Sequence, residues 1–454
     1  MFNKVLIANR GEIALRVIRS CRERGLRTVA VHSEVDADAL HTRLADEAIC
    51  IGPADPSRSY LHIPAIIAAA EITGADAVHP GYGFLSENPE FAETCAQCGL
   101  QFIGPRPEQI RLWGDKVSAR ALAKSLGLPI LEGTGLVEDV EDAVKKAENL
   151  GFPVLLKASG GGGGRGMHVL RSKEELRAIF ETARAESRAA FGSDALYFER
   201  FIERPRHIEF QILGDMHGNI HVLGERECSI QRRHQKILEE APSVVLTEEM
   251  RGDMSATIVR AMSQVGYLSA GTLEFLLDER GELTFLEMNP RIQVEHPVTE
   301  LVMGVDLIDE QIRIADGQPL ELPAEPLTPR GHAIECRINA EDPDTFAPSP
   351  GVITELHMAG GTGVRVDSGI YGGGRVPPHY DPLVAKIIVH APTRPQAIAK
   401  MRRALSETII GGIRTNIPLH QRILEHPAFE DGRISTRFLE ELQGECVLTA
   451  TVRH

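Results

Sequence analysis

Cysteine and aromatic residues are scarce in this chain of 454 residues. It has seven cysteines, and aromatic residues make up 5% of it. The cysteines are scattered, so no disulfide framework is expected and the thiols should stay reduced in a cytoplasmic compartment. Cys95 and Cys98 could form half of a zinc site. No second Cys or His pair lies nearby, which favours two small helix residues instead.

Long apolar runs and an excess of basic residues are also missing. No stretch has the roughly 18 uncharged apolar residues of a membrane span, so no contact with a membrane is expected. The apolar run at the start is too short for a signal peptide. The net charge is −15, which disfavours a nucleic-acid-binding protein, because phosphate neutralisation needs surplus Lys and Arg. Local basic pockets for small phosphates remain open.

The composition is otherwise that of a globular protein of about three domains. Hydrophobic residues make up 43% and charged residues 25%. Strand and helix patterns alternate over residues 1–113, which predicts a parallel α/β domain with right-handed crossovers. Its first helix is predicted at about 12–24, with Gly25 at the position of a C-terminal cap. Further along, we expect a small α/β unit at 130–203 and mostly strands at 204–300, with hairpin turns at 214–219 and 278–281. A helix is expected at about 307–315, and after residue 326 a strand-rich remainder with one more helix at about 395–407.

A run of five glycines is the first candidate for chemistry. The segment KASGGGGGRG (157–166) lies between two predicted strands, 154–158 and 167–170. Glycines let backbone N–H groups close on phosphate oxygens, because no Cβ stands in the way. Lys157 precedes the glycines and no Gly-Lys-Ser/Thr follows, so this is not a Walker A loop. The segment predicts a mobile flap over phosphates, with a flexible linker as the alternative.

Two carboxylates are predicted to face each other across a β-hairpin. The apolar strands LEFLL (273–277) and LTFLEMN (283–289) flank a turn, and a symmetric hairpin places Glu274 opposite Glu287. Facing carboxylates in apolar strands repel each other, and a divalent cation removes that repulsion. Asn289 lies two residues after Glu287 and shares its face. These oxygen donors predict Mg²⁺ or Mn²⁺ shared with a phosphate. The alternative is that both acids face solvent.

The next segment combines an anion-binding group with a base. An extended chain would place four polar side chains on one side: Asn289, Arg291, Gln293 and Glu295. Arg291 can hold an oxyanion by two parallel hydrogen bonds, and Glu295 can accept a proton as a general base. Beside a metal-bound phosphate, this set suits a small oxyanion that attacks phosphorus. A surface ladder of ion pairs is the alternative.

A basic island, QRRHQK (231–236), stands out in the acidic chain. With Arg204, Arg206 and His207 it could supply cations for a triphosphate, although such a hexamer is often only a solvated face. The segment NRGE (9–12) follows the first strand but has a single glycine. The dinucleotide-binding fingerprint is therefore absent, and a dehydrogenase is disfavoured.

In this order, these segments closely resemble the biotin carboxylase family of the ATP-grasp enzymes. The resemblance runs from IANRGEIA (7–14) to GIRTN (412–416). Its most specific segments are HPGYGFLSEN (79–88), residues 157–167, QRRHQK (231–236), residues 287–296 and ECRINAED (335–342). It implies an α/β and α+β fold with a parallel α/β domain at 1–113, an ATP-grasp domain at 114–325 with a mobile lid at about 130–203, and a C-terminal β-rich domain at 326–446.

The resemblance implies a ligase that uses ATP and bicarbonate to carboxylate biotin on a carrier protein, through carboxyphosphate. This is the first half-reaction of acetyl-CoA carboxylase, which supplies malonyl-CoA for fatty acid synthesis. A biotin carboxylase subunit of another acyl-CoA or pyruvate carboxylase is the alternative. Mg²⁺ (or Mn²⁺), a biotin carboxyl carrier protein, carboxyltransferase subunits and a second copy of the chain are implied as well. The chain has no Ala-Met-Lys-Met turn, so we expect a free-standing subunit.

The resemblance also assigns roles to single residues. Implied in ATP binding are Lys116, Lys157, Gly163, Gly164, Glu199, Arg200, Phe201, Ile202, His207, Gln231, His234, Glu274 and Glu287. Implied as metal ligands are Glu274, Glu287 and Asn289. Implied at the bicarbonate site are Lys236, Arg291, Gln293, Val294, Glu295 and Arg337. Glu295 would be the base, Arg337 would stabilise the biotin enolate, and Tyr82 would contact biotin; Lys236 and Arg291 complete the catalytic set. Implied at a dimer interface are Arg16, Arg19 and Arg365.

Two other functions stay open at this point. Another ATP-grasp ligase, one that joins a carboxylate to an amine, would share the metal hairpin and the glycine flap. It would not explain Arg337 or the run Gln293, Val294 and Glu295. A non-catalytic nucleotide sensor would tolerate the loss of Glu295.

Overall fold

The computed structural model describes residues 2–158, 166–323 and 327–451, and for residues 116, 117, 191 and 445–451 it describes the backbone alone. The chain forms two compact units. Unit 1 contains Met1–Leu128, Arg206–Phe275 and Leu286–His454, and unit 2 contains Pro129–Pro205 and Leu276–Phe285. The segment predicted as a lid lies in unit 2, whereas the three domain boundaries remain predictions.

A parallel sheet begins unit 1. Its strands are β1 (Lys4–Ile7), β2 (Arg27–Ser33), β3 (Glu47–Gly52), β4 (Ala77–His79) and β5 (Gln101–Phe102), in the order β3-β2-β1-β4-β5. Neighbouring strands run parallel throughout. The helices are α1 (Gly11–Glu23), α2 (Leu40–Leu44), α3 (Ile63–Thr73), α4 (Pro89–Gln97), α5 (Pro107–Gly114) and α6 (Lys116–Ser125). The predicted parallel α/β architecture is confirmed.

Helix α1 ends where the sequence predicts. Gly25 has a φ of +72°, a conformation that glycine adopts without strain. The Leu26 N–H donates to the Cys21 carbonyl at 2.8 Å, and the Gly25 N–H donates to the Arg22 carbonyl at 2.9 Å. This closing pattern satisfies carbonyls at the end of the helix and turns the chain into β2.

Unit 2 is a small antiparallel sheet with two helices. Its strands are β6 (Val154–Ala158), β7 (Met167–Leu170) and β8 (Leu196–Arg200), in the order β7-β6-β8, and its helices are α7 (Val140–Leu150) and α8 (Lys173–Phe191). The core contains the buried side chains of Leu156, Phe180 and Phe198. The glycine segment therefore joins two paired strands, as predicted. The Glu175 N–H donates to the Ser172 hydroxyl, which caps α8.

One large sheet in unit 1 carries most of the predicted site. Its order is β13-β12-β9-β10-β11-β14-β19-β17. The strands are β9 (Arg206–Gly214), β10 (Ile220–Arg232), β11 (Gln235–Ala241), β12 (Ser269–Leu277), β13 (Leu283–Asn289), β14 (His332–Asn339), β17 (Val364–Ser368) and β19 (Leu383–Ala391). Strand β14, from the predicted C-terminal domain, pairs with β11, with Leu238 opposite Cys336. Arg337 therefore lies on the same sheet as Lys236.

The structure contains helices that the sequence analysis missed. Residues 204–300 include α9 (Glu248–Gln264) and α10 (His296–Met303), which were not expected, whereas α11 (Leu307–Ala315) forms where a helix was predicted. The expectation of one helix after residue 326 was wrong. That part contains α12 (Arg394–Glu407), α13 (Ile417–Glu425), α14 (Pro427–Glu430) and α15 (Phe438–Thr451), with the strand pairs β15 (Gly351–Val352) and β18 (Arg375–Val376), and β16 (Glu355–His357) and β20 (Ile409–Gly411).

The missed helix α9 has a narrow apolar stripe. Its buried residues are Ile258, Ala261 and Met262, all towards its C-terminal end. With so few apolar positions, the helical period is hard to recognise in the sequence. Among the described helices, none combines the length and the hydrophobicity needed to cross a lipid bilayer.

Candidate active site

Six adjacent strands of the large sheet bring the predicted side chains together. The residues are Asn289 on β13, Glu274 on β12, His207 on β9, Gln231 on β10, Lys236 on β11 and Arg337 on β14. These residues are far apart in the sequence, but neighbouring strands lie only about 5 Å apart. The sheet therefore brings together side chains as far apart in the sequence as His207 and Arg337.

Lys236 lies at the centre of this cluster. Its ammonium group donates to Glu274 Oε1 at 2.8 Å, to Glu295 Oε1 at 2.7 Å and to the carboxylate of Glu209. Burial alone would lower the pKa of Lys236, but the three carboxylates raise it well above its ordinary value. Lys236 is therefore a fixed positive charge, which can attract an anion but does not release a proton at neutral pH.

Glu209 belongs to the cluster although the sequence analysis missed it. Its side chain is fully buried and also accepts a hydrogen bond from the buried Arg226. The signal was present in the sequence: Glu209 lies two residues after His207, and alternate residues of a strand share one face.

Glu274 and Asn289 converge as the hairpin argument predicts. The Asn289 Nδ2 group donates to Glu274 Oε1 at 2.9 Å, and Gln293 Nε2 donates to the same oxygen at 3.1 Å. The other oxygen of Glu274 lies 3.0 Å from His207 Nε2. Burial would raise the pKa of Glu274, but Lys236 and His207 hold it well below its ordinary value. Glu274 is thus an ionised carboxylate.

The turn between β12 and β13 is closed by the Asp278 N–H, which donates to the Glu282 carbonyl at 3.1 Å. The hairpin is therefore confirmed, and its two strands are neighbours in the sheet. Glu287 lies on β13 and is half-buried. Its direct opposition to Glu274 remains a prediction.

The donor set fits a hard divalent cation. Glu274, Glu287 and Asn289 offer carboxylate and amide oxygens, which Mg²⁺ and Mn²⁺ prefer over nitrogen or sulfur. Within the described residues, His207, Glu209 and Glu274 form a second group whose possible ligand atoms lie within 4.8 Å of one another. Both groups share Glu274, which makes it the residue best placed to be a metal ligand.

The segment between β13 and α10 is held by its own side chains. Arg291 Nη1 donates to Gln293 Oε1 at 2.8 Å, and Arg291 Nη2 donates to Asn289 Oδ1 at 3.1 Å. Its Nε lies 3.1 Å from a carboxylate oxygen of Glu87. The assumption of an extended chain was wrong, because the Arg291 N–H donates to the Asn289 carbonyl and the chain turns there. Asn289, Arg291 and Gln293 nevertheless contact one another, whereas Glu295, the fourth residue of the prediction, bonds to Lys236 and Arg337.

Glu295 is fully buried between two cations. One carboxylate oxygen accepts from Lys236 at 2.7 Å, and the other accepts from Arg337 Nη2 at 2.8 Å. Burial alone would raise the pKa of Glu295, but Lys236, Arg337 and Arg226 hold it well below its ordinary value. The carboxylate is therefore ionised and able to accept a proton.

Arg337 is shared between two carboxylates. Its Nε donates to Glu239 Oε1 at 2.5 Å while its Nη2 donates to Glu295. Glu239 is fully buried, and burial raises its pKa to about 7, although Arg337 acts in the opposite direction. The guanidinium is thus fixed in direction by Glu239 on the neighbouring strand β11 and by Glu295 directly before α10.

His207 and Gln231 meet on adjacent strands. Gln231 Nε2 lies 2.7 Å from His207 Nδ1, and both side chains are buried. His234 is exposed at the turn between β10 and β11, where both Arg233 and His234 have positive φ angles of 47° and 66°. Non-glycine residues in this conformation are uncommon and often mark functional turns. The half-buried Tyr82 donates from its hydroxyl to the carboxylate of Glu12.

Unit 2 contains a further group of the predicted ATP-binding residues. The ammonium group of Lys157 on β6 bonds to the buried carboxylate of Glu199 on β8. Arg200 Nη2 donates to Asp278 Oδ2 at 2.9 Å within the same unit. Phe201 and Ile202 follow directly after β8. Gly163 and Gly164 lie outside the described residues, and Lys116 is described by its backbone at the start of α6.

Comparison with protein families gives three matches that together span most of the chain. The model described as biotin carboxylase, N-terminal domain, matches residues 1–110. The model described as carbamoyl-phosphate synthase L chain, ATP binding domain, matches residues 115–323. The model described as biotin carboxylase C-terminal domain matches residues 335–441.

Individual proteins resemble this chain over nearly their whole length. The biotin carboxylase of Haemophilus influenzae is 55% identical, over 98% of this chain and 99% of its own. A pyruvate carboxylase subunit of Methanothermobacter thermautotrophicus is 51% identical, over 97% and 90%. Among solved structures, the biotin carboxylase domain dimer of the Hydrogenobacter thermophilus 2-oxoglutarate carboxylase, in complex with MgADP, ADP and bicarbonate, is 50% identical, with a TM-score of 0.88 over 97% of this chain and 98% of that one.

Proposed function

The chain belongs to the biotin carboxylase family, and on that premise we propose that it performs the first half-reaction of acetyl-CoA carboxylase. It is a ligase that carboxylates biotin with ATP and bicarbonate. The observation that carries the assignment of the site is the Glu295 carboxylate, which is buried between Lys236 and Arg337. Lys236 also bonds to Glu274, which accepts from Gln293 of the Arg291–Gln293 pair. A base and three groups that can bind an oxyanion thus lie within one cluster.

Bicarbonate would bind between the cations of this cluster. Arg291 can hold two of its oxygens, Lys236 adds a compact positive charge, and Gln293 adds an amide donor. Glu295 would accept the proton of the bicarbonate hydroxyl, which leaves that oxygen free to attack the γ-phosphorus of ATP. The new P–O bond forms as the bond to the β-phosphate oxygen breaks, which gives carboxyphosphate and ADP.

Glu274, Glu287 and Asn289 would hold Mg²⁺ or Mn²⁺. When bound, such an ion neutralises charge on the phosphates of the nucleotide. Lys157, Glu199, Arg200, Phe201 and Ile202 of unit 2, with Lys116, Gly163, Gly164, His207, Gln231 and His234, are proposed to bind the nucleotide. The short contact between Lys157 and Glu199 supports a role for this lysine, since the carboxylate holds its ammonium group in one place.

Arg337 is proposed to act in the transfer of the carboxyl group to N1′ of biotin. In this step the C–O bond between the carboxyl carbon and the phosphate oxygen of carboxyphosphate breaks, the phosphate leaves with the N1′ proton, and the N1′–C bond forms. A negative charge develops on the biotin ureido oxygen when N1′ loses its proton, and a fixed guanidinium stabilises such a charge. Arg337 is fixed by Glu239 and Glu295, which supports this role. Tyr82 would contact the biotin ring.

We further propose a biotin carboxyl carrier protein and carboxyltransferase subunits as partners, and a homodimer as the assembly. Arg16 and Arg365 both bond to Glu300, at 2.9 Å and 2.6 Å, and Arg19 lies 3.7 Å from Asp367. These contacts make a charged cluster that would suit an interface. The described cysteines are free thiols, which supports work in the reducing cytoplasm.

The experiment that tests the function measures ADP release by the purified chain with Mg²⁺ and ATP. We expect release that depends on bicarbonate and rises with free biotin. ATP hydrolysis that is indifferent to bicarbonate would contradict the proposal and favour a nucleotide sensor. Activity with an amine and a carboxylate in place of bicarbonate would instead favour another ATP-grasp ligase.

A role within a pyruvate carboxylase is the second candidate, because one relative carries that name. The two functions differ in the final acceptor, and this chain would catalyse the same half-reaction in both. Capture of the biotinylated carrier by the chain, followed by assay of the captured complex with acetyl-CoA and with pyruvate, distinguishes them. Carboxylation of acetyl-CoA supports the first candidate, and carboxylation of pyruvate supports the second.

A further inference from the structure

Lys386 is a fully buried lysine that the proposed reaction does not use. It lies on β19 with a side chain that is 0% exposed. Its ammonium group donates to the backbone carbonyl of Val294 at 2.7 Å and lies 3.2 Å from Glu12 Oε1. A buried lysine is costly unless it is paired and hydrogen-bonded. The buried position of Lys386 therefore indicates that the residue has a specific role.

The contact with Val294 falls in the segment proposed to bind bicarbonate. A valine side chain has no hydrogen-bonding group, so only the peptide groups around Val294 can contact an anion. A trans peptide is planar, with its C=O and N–H on opposite sides. The direction of the Val294 carbonyl therefore fixes the direction of the Glu295 N–H. Because Lys386 donates to the Val294 carbonyl, the Glu295 N–H points away from Lys386.

The two preceding carbonyls of this segment are also held by side chains. Arg291 Nη1 donates to the Ile292 carbonyl at 3.1 Å, and His296 Nδ1 lies 2.8 Å from the Gln293 carbonyl. Three successive peptide groups are thus fixed by contacts outside the regular helix pattern. The other two contacts come from within the segment or its helix, whereas Lys386 lies on β19 and links the segment to the large sheet.

The strand register places Lys386 on β19 between strands β14 and β17. Lys386 lies opposite Arg337 on one side and opposite Asp367 on the other. Arg337 bonds to Glu295. On the N-terminal side, Glu12 accepts a hydrogen bond from the hydroxyl of Tyr82, the proposed biotin contact. Lys386 therefore touches both the bicarbonate segment and the group that holds Tyr82.

We infer that Lys386 is a positioning residue for bicarbonate: its hydrogen bond to the Val294 carbonyl orients the peptide group between Val294 and Glu295, so that the Glu295 N–H faces the anion. The inference rests on the proposed function. Loss of the contact should weaken bicarbonate binding and leave ATP binding intact, because the ammonium group contacts the segment and no predicted nucleotide-binding residue.

The test compares Glu12→Gln with the double variant Glu12→Gln/Lys386→Met. The double variant removes the buried lysine and its partner charge together, so it avoids an unpaired Glu12 carboxylate. We expect the KM for bicarbonate to rise about tenfold from the single to the double variant, the size expected for one charged hydrogen bond. The KM for ATP should stay within about twofold.

Arg251→Met is the matched control. It breaks another ion pair of unit 1, in which Nε of the half-buried Arg251 donates to Oε2 of the buried Glu225 at 2.6 Å. We expect a lower melting temperature and an unchanged KM for bicarbonate. If the control raises this KM as much as the double variant does, the effect of Lys386 is general destabilisation and the inference is wrong.

Glu12→Gln/Lys386→Gln provides a second test if the variant with methionine does not fold. The glutamine amide is one atom shorter and neutral, so it cannot reproduce the contact, and the KM for bicarbonate should again rise. An unchanged bicarbonate KM in either folded variant would overturn the inference. The wild-type chain is measured first: if its ADP release ignores bicarbonate, the proposed function fails, which is a separate result from an active wild type with an unaffected variant.

Discussion

Arg337 and Lys236 hold opposite oxygens of the Glu295 carboxylate, at 2.8 Å and 2.7 Å. This arrangement fixes the direction of the base and keeps it ionised. It also explains why residues from β11, from β14 and from the start of α10 are required together. Removal of any one of them changes the balance of buried charge in a larger cluster, because Lys236 also bonds to Glu209 and Glu274, and Arg337 also bonds to Glu239.

Glu295→Gln should abolish the reaction while it preserves the shape of the site. The amide is nearly isosteric, but it cannot accept the proton of bicarbonate. We expect bicarbonate-dependent ADP release to fall by at least about 100-fold, with ATP binding unchanged by calorimetry. Glu225→Gln, which neutralises another buried carboxylate, serves as the control and should keep most of the activity. Full activity in Glu295→Gln would remove Glu295 from the role of base.

Lys236→Gln should prevent formation of carboxyphosphate. The change takes the shared cation from Glu209, Glu274 and Glu295, which then repel one another and the bicarbonate anion. We expect loss of turnover with retained ATP binding, and a fall of about 3 kcal/mol in the free energy of unfolding. Denaturant unfolding and ADP release measure the two effects. A variant with intact turnover would contradict the assignment.

Lys157→Met should weaken nucleotide binding. The side chain keeps most of its length but loses the charge that Glu199 holds in place. We expect the KM for ATP to rise about tenfold, with the KM for bicarbonate unchanged. Lys173→Met is a suitable control in the same unit, because that lysine is exposed and makes only a long ion pair of 3.6 Å with Glu148. Equal ATP affinity in both variants would exclude Lys157 from the nucleotide site.

Acid should destabilise the chain partly through Glu240. Burial would raise the pKa of this residue, but the hydrogen bond from His332 at 2.7 Å and the charge of Arg394 lower it to about 2. Because the pKa is lower in the folded state, the stabilisation is complete above about pH 5 and is lost as the pH falls towards 2. It amounts to about 3 kcal/mol.

The pH dependence is measured by urea unfolding between about pH 5 and pH 3. In Glu240→Gln this part of the pH dependence should flatten, whereas the exposed Glu279→Gln should behave as the wild type does. If the unfolding free energy of Glu240→Gln changes with pH as steeply as that of the wild type, Glu240 does not contribute to the pH dependence.

Local patterns in the sequence were sufficient for part of the site. Glu274 and Asn289 could be placed together because strand alternation and a short turn define their positions. Glu209 was missed because its role depends on Lys236 from a strand two places away in the sheet, and sequence spacing does not show which strands are neighbours. The turn after Asn289 was also missed, since it is held by side-chain contacts rather than by a turn motif.

The helices were predicted unevenly for a similar reason. Helix α1 has a wide apolar stripe and a glycine end signal, so its bounds could be predicted within one residue. Helix α9 buries only three residues, and packing rather than periodicity accounts for it. The sharing of one sheet by β11 and β14 could not be predicted, because about ninety residues separate these strands.

The most direct test of the central claim is the transfer of labelled bicarbonate to free biotin. The purified chain is incubated with ATP, Mg²⁺ and ¹³C-bicarbonate, and carboxybiotin is detected by mass spectrometry alongside ADP. The account predicts labelled carboxybiotin with the wild type and none above background with Glu295→Gln. Equal labelling by the two proteins, or ADP release by the wild type without any labelled biotin, would contradict it.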